Sequence, residues 1–463
     1  LWQQSHASFQ GIGDDERLEV ALPVWRLIGG SVAKGSGEFR RTLPALGAAV
    51  PVIILFVAVL SIVLTAAGPQ GLGLSDAQTS GWIVVVYGLP AVPSLVLTLR
   101  YRQPLLLTGN VFAVIFFASL GDQFSFEELS GAAFLAGVVV LLIAVFGLTA
   151  QLAAWIPAPI VHGLVAGAVM PFVADIFSGL SNVDNQGLDI AARVPIMVGS
   201  AFVAYLLSQR FFGPRLPAIF PALVAGFVTA GLTGQLGHVP TSFALPDLAI
   251  GWPEFSLTAL ASATPVLVAL ILLQSNLPCV IYMRSQGYRP PERVINVVSG
   301  IGTIVASPIG PSAVSLAVPL APLTAGPTAG DPLIRYRSVY IPAGALLLIA
   351  LLASTAADVA VLVPSILLLA LAGLALVGVL VSSLREIARG PLLLGPIFAF
   401  AIALSDMRLL DLGPFFWSLV LGTGISLLLE QDEWKRLRAT IGDLAEEQVS
   451  DQRGVTSPPE ASS

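Results

Sequence analysis

Three clusters of small polar side chains interrupt otherwise apolar stretches, and these residues could do chemistry. Gln274-Ser275-Asn276 is the most polar run inside any apolar segment. Unpaired amides and hydroxyls are costly in hydrocarbon, so this run must face protein, water or a ligand. Its donors suit a carboxylate, which accepts up to about four hydrogen bonds. The competing reading is glue between helices. In Thr108-Gly109-Asn110, Gly109 permits close backbone approach and Asn110 can cap a helix. Simple close packing is the alternative there. The third cluster runs from Ala306 to Ser315, where Pro308, Gly310 and Pro311 argue against a continuous helix. A short extended piece feeding a half-helix from near Pro311 is predicted, with proline in its first turn. Ser312 and Ser315 would then share one face, and Gly310 would act as a backbone position. The start of such a half-helix presents free N–H groups and a positive dipole end, which suit an anion.

Groups for proton chemistry are sparse. No acid stands near the middle of the segments that carry these clusters. The two candidates are His162, whose imidazole titrates near pH ~6.5, and Asp175, close to the outer end of the same segment. A lone histidine on an apolar helix is more often satisfied by a neighbour, and an interfacial aspartate by water. A substrate carried as its neutral acid needs no protein carboxylate. Cys279 is the single cysteine and the three histidines are scattered. No metal site, cofactor or catalytic cluster is therefore expected.

The elements that must hold these residues are membrane spans. Of 463 residues, 56% are hydrophobic and only 11% charged, which excludes a soluble domain of this size. At roughly 20 residues per crossing, the apolar stretches read as about fourteen spans. They are placed at 43–66, 80–99, 104–120, 130–149, 156–178, 191–209, 216–235, 257–277, 292–307, 311–325, 338–355, 358–382, 391–405 and 414–430. With the N-terminus inside, Arg100, Arg102, Arg210, Arg215, Arg284, Arg289, Arg293, Arg335, Arg337, Arg385 and Arg389 fall in inner loops. Only Arg193 and Arg408 fall in outer ones. That asymmetry supports the alternation and puts both termini in the cytoplasm. Residues 1–42 read as a cytoplasmic lead-in without the apolar core of a signal peptide, and 431–463 as a cytoplasmic tail. Residues 43–235 and 257–430 form two seven-span halves joined by the outer loop 236–256. An odd number per half inverts the second relative to the first. Spans 3 and 10 are short and interrupted, the best sequence pointer to a transporter site.

Several stretches together resemble the benzoate:proton symporter family. They are Thr79-Ser80-Gly81-Trp82, Leu97 to Pro104, Gln274-Ser275-Asn276-Leu277-Pro278 with Gly287-Tyr288, Ser307-Pro308-Ile309-Gly310, Ala372 to Leu376, and Phe416 to Val420. The matches keep their order and similar spacing across about residues 75–425. The resemblance implies the architecture of nucleobase/ascorbate and sulfate-type transporters, an all-α polytopic 7+7 inverted repeat. Spans 1–4 and 8–11 would form a core domain, and spans 5–7 and 12–14 a gate domain, with extended pieces of spans 3 and 10 crossing in the core. It implies import of benzoate or a related aromatic carboxylate with protons, in a bacterial inner membrane, by a homodimer. The expected partners are that small organic anion, the proton and the lipid bilayer, and not nucleic acid. Two departures bear on the substrate: the family pattern has Ser-Gln-Asn where this chain has Gln274-Ser275-Asn276, and an aromatic residue where it has Pro311-Ser312. An inorganic anion or nucleobase carrier on the same scaffold, or an anion channel, is the alternative.

Overall fold

Runs of Leu, Val, Ala and Ile bounded by Gly and Pro fold as helices, which satisfy their own backbone polar groups in lipid. The computed structural model describes residues 42–439 except 70, 182–186, 212–216, 237–243 and 406. The lead-in before Thr42, the tail beyond residue 439 and part of the connecting loop lie outside the described residues.

Helices α1 (Thr42–Ala67) and α2 (Asp76–Tyr101) lead into strand β1 (Leu107–Gly109) and the half-length helix α3 (Val111–Ala118). Next come α4 (Phe126–Phe146), the short α5 (Thr149–Trp155), α6 (Ala158–Ser181), α7 (Gly187–Phe211) and α8 (Ile219–Leu232). After the connecting loop follow α9 (Leu257–Ser285), α10 (Glu292–Ala306), strand β2 (Val314–Leu316) and the single-turn α11 (Ala321–Thr324). The remainder is α12 (Tyr340–Leu351), α13 (Ala353–Leu362), α14 (Ser365–Arg389), α15 (Leu394–Leu404) and α16 (Pro414–Leu429). Seven of these, α1, α2, α4, α6, α7, α9 and α14, are long and apolar enough to cross a membrane. Helices α8, α15 and α16 are apolar but shorter.

Two expectations need correction. The segment placed at 358–382 is divided: α13 stops at Leu362 and α14 starts at Ser365, because Pro364 forces the residue before it into extended backbone. No helix starts near Pro311. Residues 307–313 run as turns and irregular backbone, β2 follows, and helical structure resumes only at Val318. Ser312 and Ser315 therefore do not share a helix face. Pairing with β1 supplies the hydrogen bonds that a helix at Pro311 would have had to make internally.

Both α2 and α9 contain a π-helical turn, at Val84–Gly88 and Leu270–Asn276. Each lies just before a proline, Pro90 and Pro278, which removes an N–H and crowds the carbonyl four residues back. The helix accommodates this by widening one turn. In α9 the widened turn carries Gln274, Ser275 and Asn276.

The helices pack in two groups. In one, α4 lies against α9 and α10, α3 against α1, and α2 against α12 and α13. In the other, α6 packs on α14 and α15, α15 on α16, and α7 on α8. Small residues set the closest approaches, as expected where lipid gives no hydrophobic drive between helices. A side chain at Gly373 would overlap Phe172 O on α6, and one at Gly300 would meet Gly137 O on α4.

Candidate functional site

The two extended pieces meet at the centre of the first group. Strands β1 and β2 pair antiparallel, with Leu107 opposite Leu316, Thr108 opposite Ser315 and Gly109 opposite Val314. The backbone N–H of Asn110 extends the ladder to Ala313 O (2.7 Å), and that of Ala317 to Leu106 O (3.0 Å). A ribbon this short survives only if side chains complete its edges. Ser94 does so on β1, accepting from Leu107 N (2.8 Å) and donating to Leu107 O (3.0 Å). On β2, Thr303 Oγ1 accepts from Val314 N (3.0 Å) and Asn276 Oδ1 from Leu316 N (2.8 Å).

Asn110 links the ribbon to the helices around it. Its Oδ1 accepts from Phe112 N and Ala113 N, capping α3 as the sequence predicts. Its Nδ2 faces Ser275 Oγ at 2.9 Å, Ser315 Oγ at 3.2 Å and Leu270 O at 3.2 Å. One amide thus joins both strands to the π turn of α9. Asn276 is equally committed, since its Nδ2 donates to Asn296 Oδ1 (2.9 Å) and Ser299 Oγ (3.0 Å) on α10. Both residues are scaffold by these contacts.

Two of the predicted substrate-contact residues have no such commitment. Gln274 Oε1 and Ser312 Oγ are buried without a hydrogen-bond partner, and the residues are only 5% and 2% exposed. Both border Asn110: Gln274 precedes its partner Ser275, and Ser312 precedes Ala313, whose carbonyl it holds. Orphaned buried polar atoms are rare and mark a place where water, an ion or a ligand belongs. An apolar crevice of about 10 Å³ separates Phe112, Ile115 and Phe116 of α3 and Leu270 of α9, whose carbonyl meets Asn110, from Leu164, Val165, Ala168 and Val169 of α6. It lies where the two helical groups meet.

Gly109 and Gly310 mark close approaches. A side chain at Gly109 would come within 2.7 Å of Val86 O on the π turn of α2, and one at Gly310 within 2.7 Å of Phe126 Cζ. The indole of Trp82, fully buried, donates to Pro311 O at 2.6 Å and walls the broken stretch. A larger cleft of about 150 Å³ opens on the far side of that stretch. It is bounded by Gln78, Phe126, Glu127, Ser307, Pro308, Ile309 and the connecting loop at Ala249–Trp252. The loop is fastened there by Gly251 N to Pro308 O (2.8 Å) and Glu254 N to Glu127 O (3.0 Å).

His162 and Asp175 are both half-buried on α6, and thirteen residues of helix separate them by roughly 20 Å. His162 Nδ1 is buried without a partner. Sequence reasoning missed Trp82 and the α10 set Asn296, Ser299 and Thr303. Trp82 stood within a stretch already singled out. The α10 residues recur at helical spacing through an apolar span, a polar stripe legible by period alone.

Two interrupted spans crossing in a bundle of apolar helices, with uncommitted polar groups beside the crossing, define a membrane transporter rather than an enzyme. Known proteins agree. The family model for the benzoate membrane transport protein matches residues 41–428, and the chain belongs to that family. It is 25% identical over 377 residues to the benzoate membrane transport protein of Acinetobacter baylyi, covering 78% of this chain and 91% of that one. It is also 25% identical over 354 residues to the Escherichia coli inner membrane protein YdcO, covering 76% and 87%. Among solved structures, the fold resembles the murine Solute Carrier 26 family member A9 anion transporter in its inward-facing state. That likeness has a TM-score of 0.58 at 12% identity, over 91% of this chain and 74% of that one. The transmembrane domain of the cyanobacterial bicarbonate transporter BicA is similar at a TM-score of 0.50 and 15% identity, over 83% and 98%.

Proposed function

We propose that this protein imports benzoate or a closely related aromatic carboxylate across a bacterial inner membrane, together with protons, by alternating access. The observation that carries the reading is the orphaned pair Gln274 and Ser312 beside the β1–β2 ribbon, in a chain of the benzoate transport family. Gln274, Ser275, Asn276, Thr108, Gly109, Asn110, Gly310, Ser312 and Ser315 form the substrate region. Within it, Gln274 and Ser312 contact the carboxyl group, and the Asn110 and Asn276 amides hold the ribbon that presents it. The ring enters the crevice between α3 and α6, which widens as the two helical groups separate.

An acceptor oxygen and a hydroxyl suit a neutral carboxylic acid, which brings one donor of its own; rotating the Gln274 amide presents a donor to the anion instead. Carrying the neutral acid moves a proton with the substrate and leaves His162 and Asp175 without an obligatory role. In this reading the first helical group is the mobile core, the second is the gate, and a homodimer forms through the gates. The small crevice and the Pro311-Ser312 departure favour, as a second reading, a compact inorganic anion such as bicarbonate.

The test is thermal stabilisation of the purified protein by benzoate, hydroxybenzoates, uracil, sulfate and bicarbonate at about pH 5.5 and 7.5, since a ligand that binds only the folded form raises its melting point. Aromatic acids should stabilise, and more strongly at the lower pH. Stabilisation by bicarbonate or sulfate alone would replace the substrate and keep the transporter.

A further inference from the structure

We infer that the short helices α5 and α13 are each pinned to the first helical group by one hydroxyl at their first turn. They then travel with that group, and the hinges of the transport cycle lie at their far ends, Ile156-Pro157 and Val363-Pro364. The inference rests on the alternating-access reading above.

The two pins are alike. Helix α5 starts at Thr149, whose Oγ1 accepts a hydrogen bond from Asn296 Nδ2 at 3.2 Å. Helix α13 starts at Ala353, and the hydroxyl of its next residue, Ser354, lies 3.0 Å from Ser80 Oγ. Asn296 and Ser80 are both buried, and each is the fifth residue of its helix, counted from Glu292 in α10 and from Asp76 in α2. Under the inverted repeat, α2 corresponds to α10 and α5 to α13. The two bonds are therefore equivalent under the repeat, each joining one half to the other, on opposite sides of the membrane. Among the described residues, Thr149 and Ser80 make no other side-chain hydrogen bond. Ser354 also accepts from Asp247 N (3.0 Å) and donates to Leu245 O (3.0 Å), so the second pin holds the connecting loop as well.

The far ends differ from the pinned ones. Ile156 and Val363 are extended, at φ −126°, ψ 92° and φ −93°, ψ 130°. Each precedes a proline that lacks the N–H to continue the helical ladder, so the backbone bonds end at Ile156 on one side and restart from the carbonyl of Pro157 or Pro364 on the other. On the α5 side, the helical residues 431–439 that follow α16 reach the last turn of α5, just before the junction. Arg438 Nε donates to Ala154 O at 3.0 Å, and its guanidinium lies over the rings of Trp155 and Trp434 at 5.3 and 5.6 Å. Trp434 in turn packs with Ile160, Leu392 and Ala399. The second group thus meets α5 at its last turn, next to the Ile156-Pro157 junction, while the first group holds its start. The α5 pin also reaches the site. Asn296 Oδ1 accepts from Asn276 Nδ2, and Asn276 Oδ1 holds Leu316 N of β2.

The experiment compares Thr149→Val and Ser80→Ala with wild type, using Thr149→Ser as the conservative rescue. Each is read by benzoate uptake into proteoliposomes, benzoate-induced thermal stabilisation, and hydrogen exchange of the two short helices. Losing one neutral hydrogen bond corresponds to a factor of about two to ten. Uptake rate should fall by about that factor in both variants while stabilisation by benzoate stays at the wild-type value. Amides of 149–156 in the first variant, and of 353–358 in the second, should exchange faster by a similar factor, and Thr149→Ser should restore rate and protection. Wild-type uptake in both variants, or a rate loss that tracks lost benzoate binding, would overturn the pins. If wild type neither binds nor carries benzoate, the substrate reading fails on its own. Exchange then decides the pins: unchanged protection of 149–156 in Thr149→Val rejects them, and increased exchange supports them.

Discussion

At the scale of single residues, the polar run of α9 divides by what each side chain already holds. Removing the Asn276 side chain strands Leu316 N and two acceptors on α10. Asn276→Ala should therefore cost stability by about 2 kcal/mol or more, seen as a lower melting temperature without ligand. Gln274→Ala and Ser312→Ala remove atoms that have no partner. They should melt within about 1 kcal/mol of wild type yet lose most of the stabilisation by benzoate. The opposite pattern, a stable Asn276→Ala and unstable Gln274→Ala, would reassign the roles. The glycines divide in a similar way. A methyl at Gly109 meets the backbone of Val86, whereas one at Gly310 meets the outer end of the Phe126 ring, which can rotate aside. Gly109→Ala should lower the melting temperature more than Gly310→Ala, and paired melting curves check the order.

At the scale of elements, one carboxylate organises the end of the second helical group. Glu430 follows the last turn of α16 and turns back to the start of α15. There it accepts from Leu393 N (2.6 Å), Leu394 N (2.7 Å) and Gly395 N (3.1 Å), and from Ser426 Oγ (2.7 Å). A carboxylate at a helix start satisfies free N–H groups and complements the dipole. Burial alone would raise its pKa, but the hydrogen bonds from Leu393, Ser426, Gly395 and Leu394 outweigh it and hold the group below its ordinary 4.5. A pKa lower in the folded state means the contribution is complete above that ordinary value and is lost as pH falls through the folded one. Glu430→Gln should lower the melting temperature at pH 7, and the gap to wild type should narrow as pH drops below about 4.5. A gap that stays constant with pH would show that shape rather than charge matters there.

At the scale of the whole molecule, the proposed alternating-access cycle would have the two helical groups part along the seam where α3 and α9 face α6. That seam is apolar, lined by Phe112, Phe116, Leu164 and Val169, so it can open without breaking ion pairs and can accept an aromatic ring. Ala168→Phe would fill it. We expect this variant to lose uptake of benzoate by about tenfold or more per folded molecule if the ring must enter there, with a lower melting temperature because the ring overfills a crevice of about 10 Å³. Undiminished uptake would move the ring elsewhere.

Composition alone made this a polytopic membrane protein, because no soluble core accommodates so apolar a chain. Proline and glycine spacing located the interruptions at Gln103-Pro104 and at Pro308 to Pro311, since those residues break helices wherever they occur. The Asn110 cap was legible too, being a local interaction between a side chain and the next turn. Tertiary structure decided the rest. Whether Pro311 opened a helix or an approach to a strand depended on β1, some two hundred residues earlier in the chain, offering a hydrogen-bonding edge. Whether Asn276 was free for a ligand depended on Asn296, Ser299 and Leu316 arriving beside it. Sequence fixes which groups are costly to leave unpaired in lipid; only the packed bundle decides which of them the protein itself satisfies, and so which remain for a substrate.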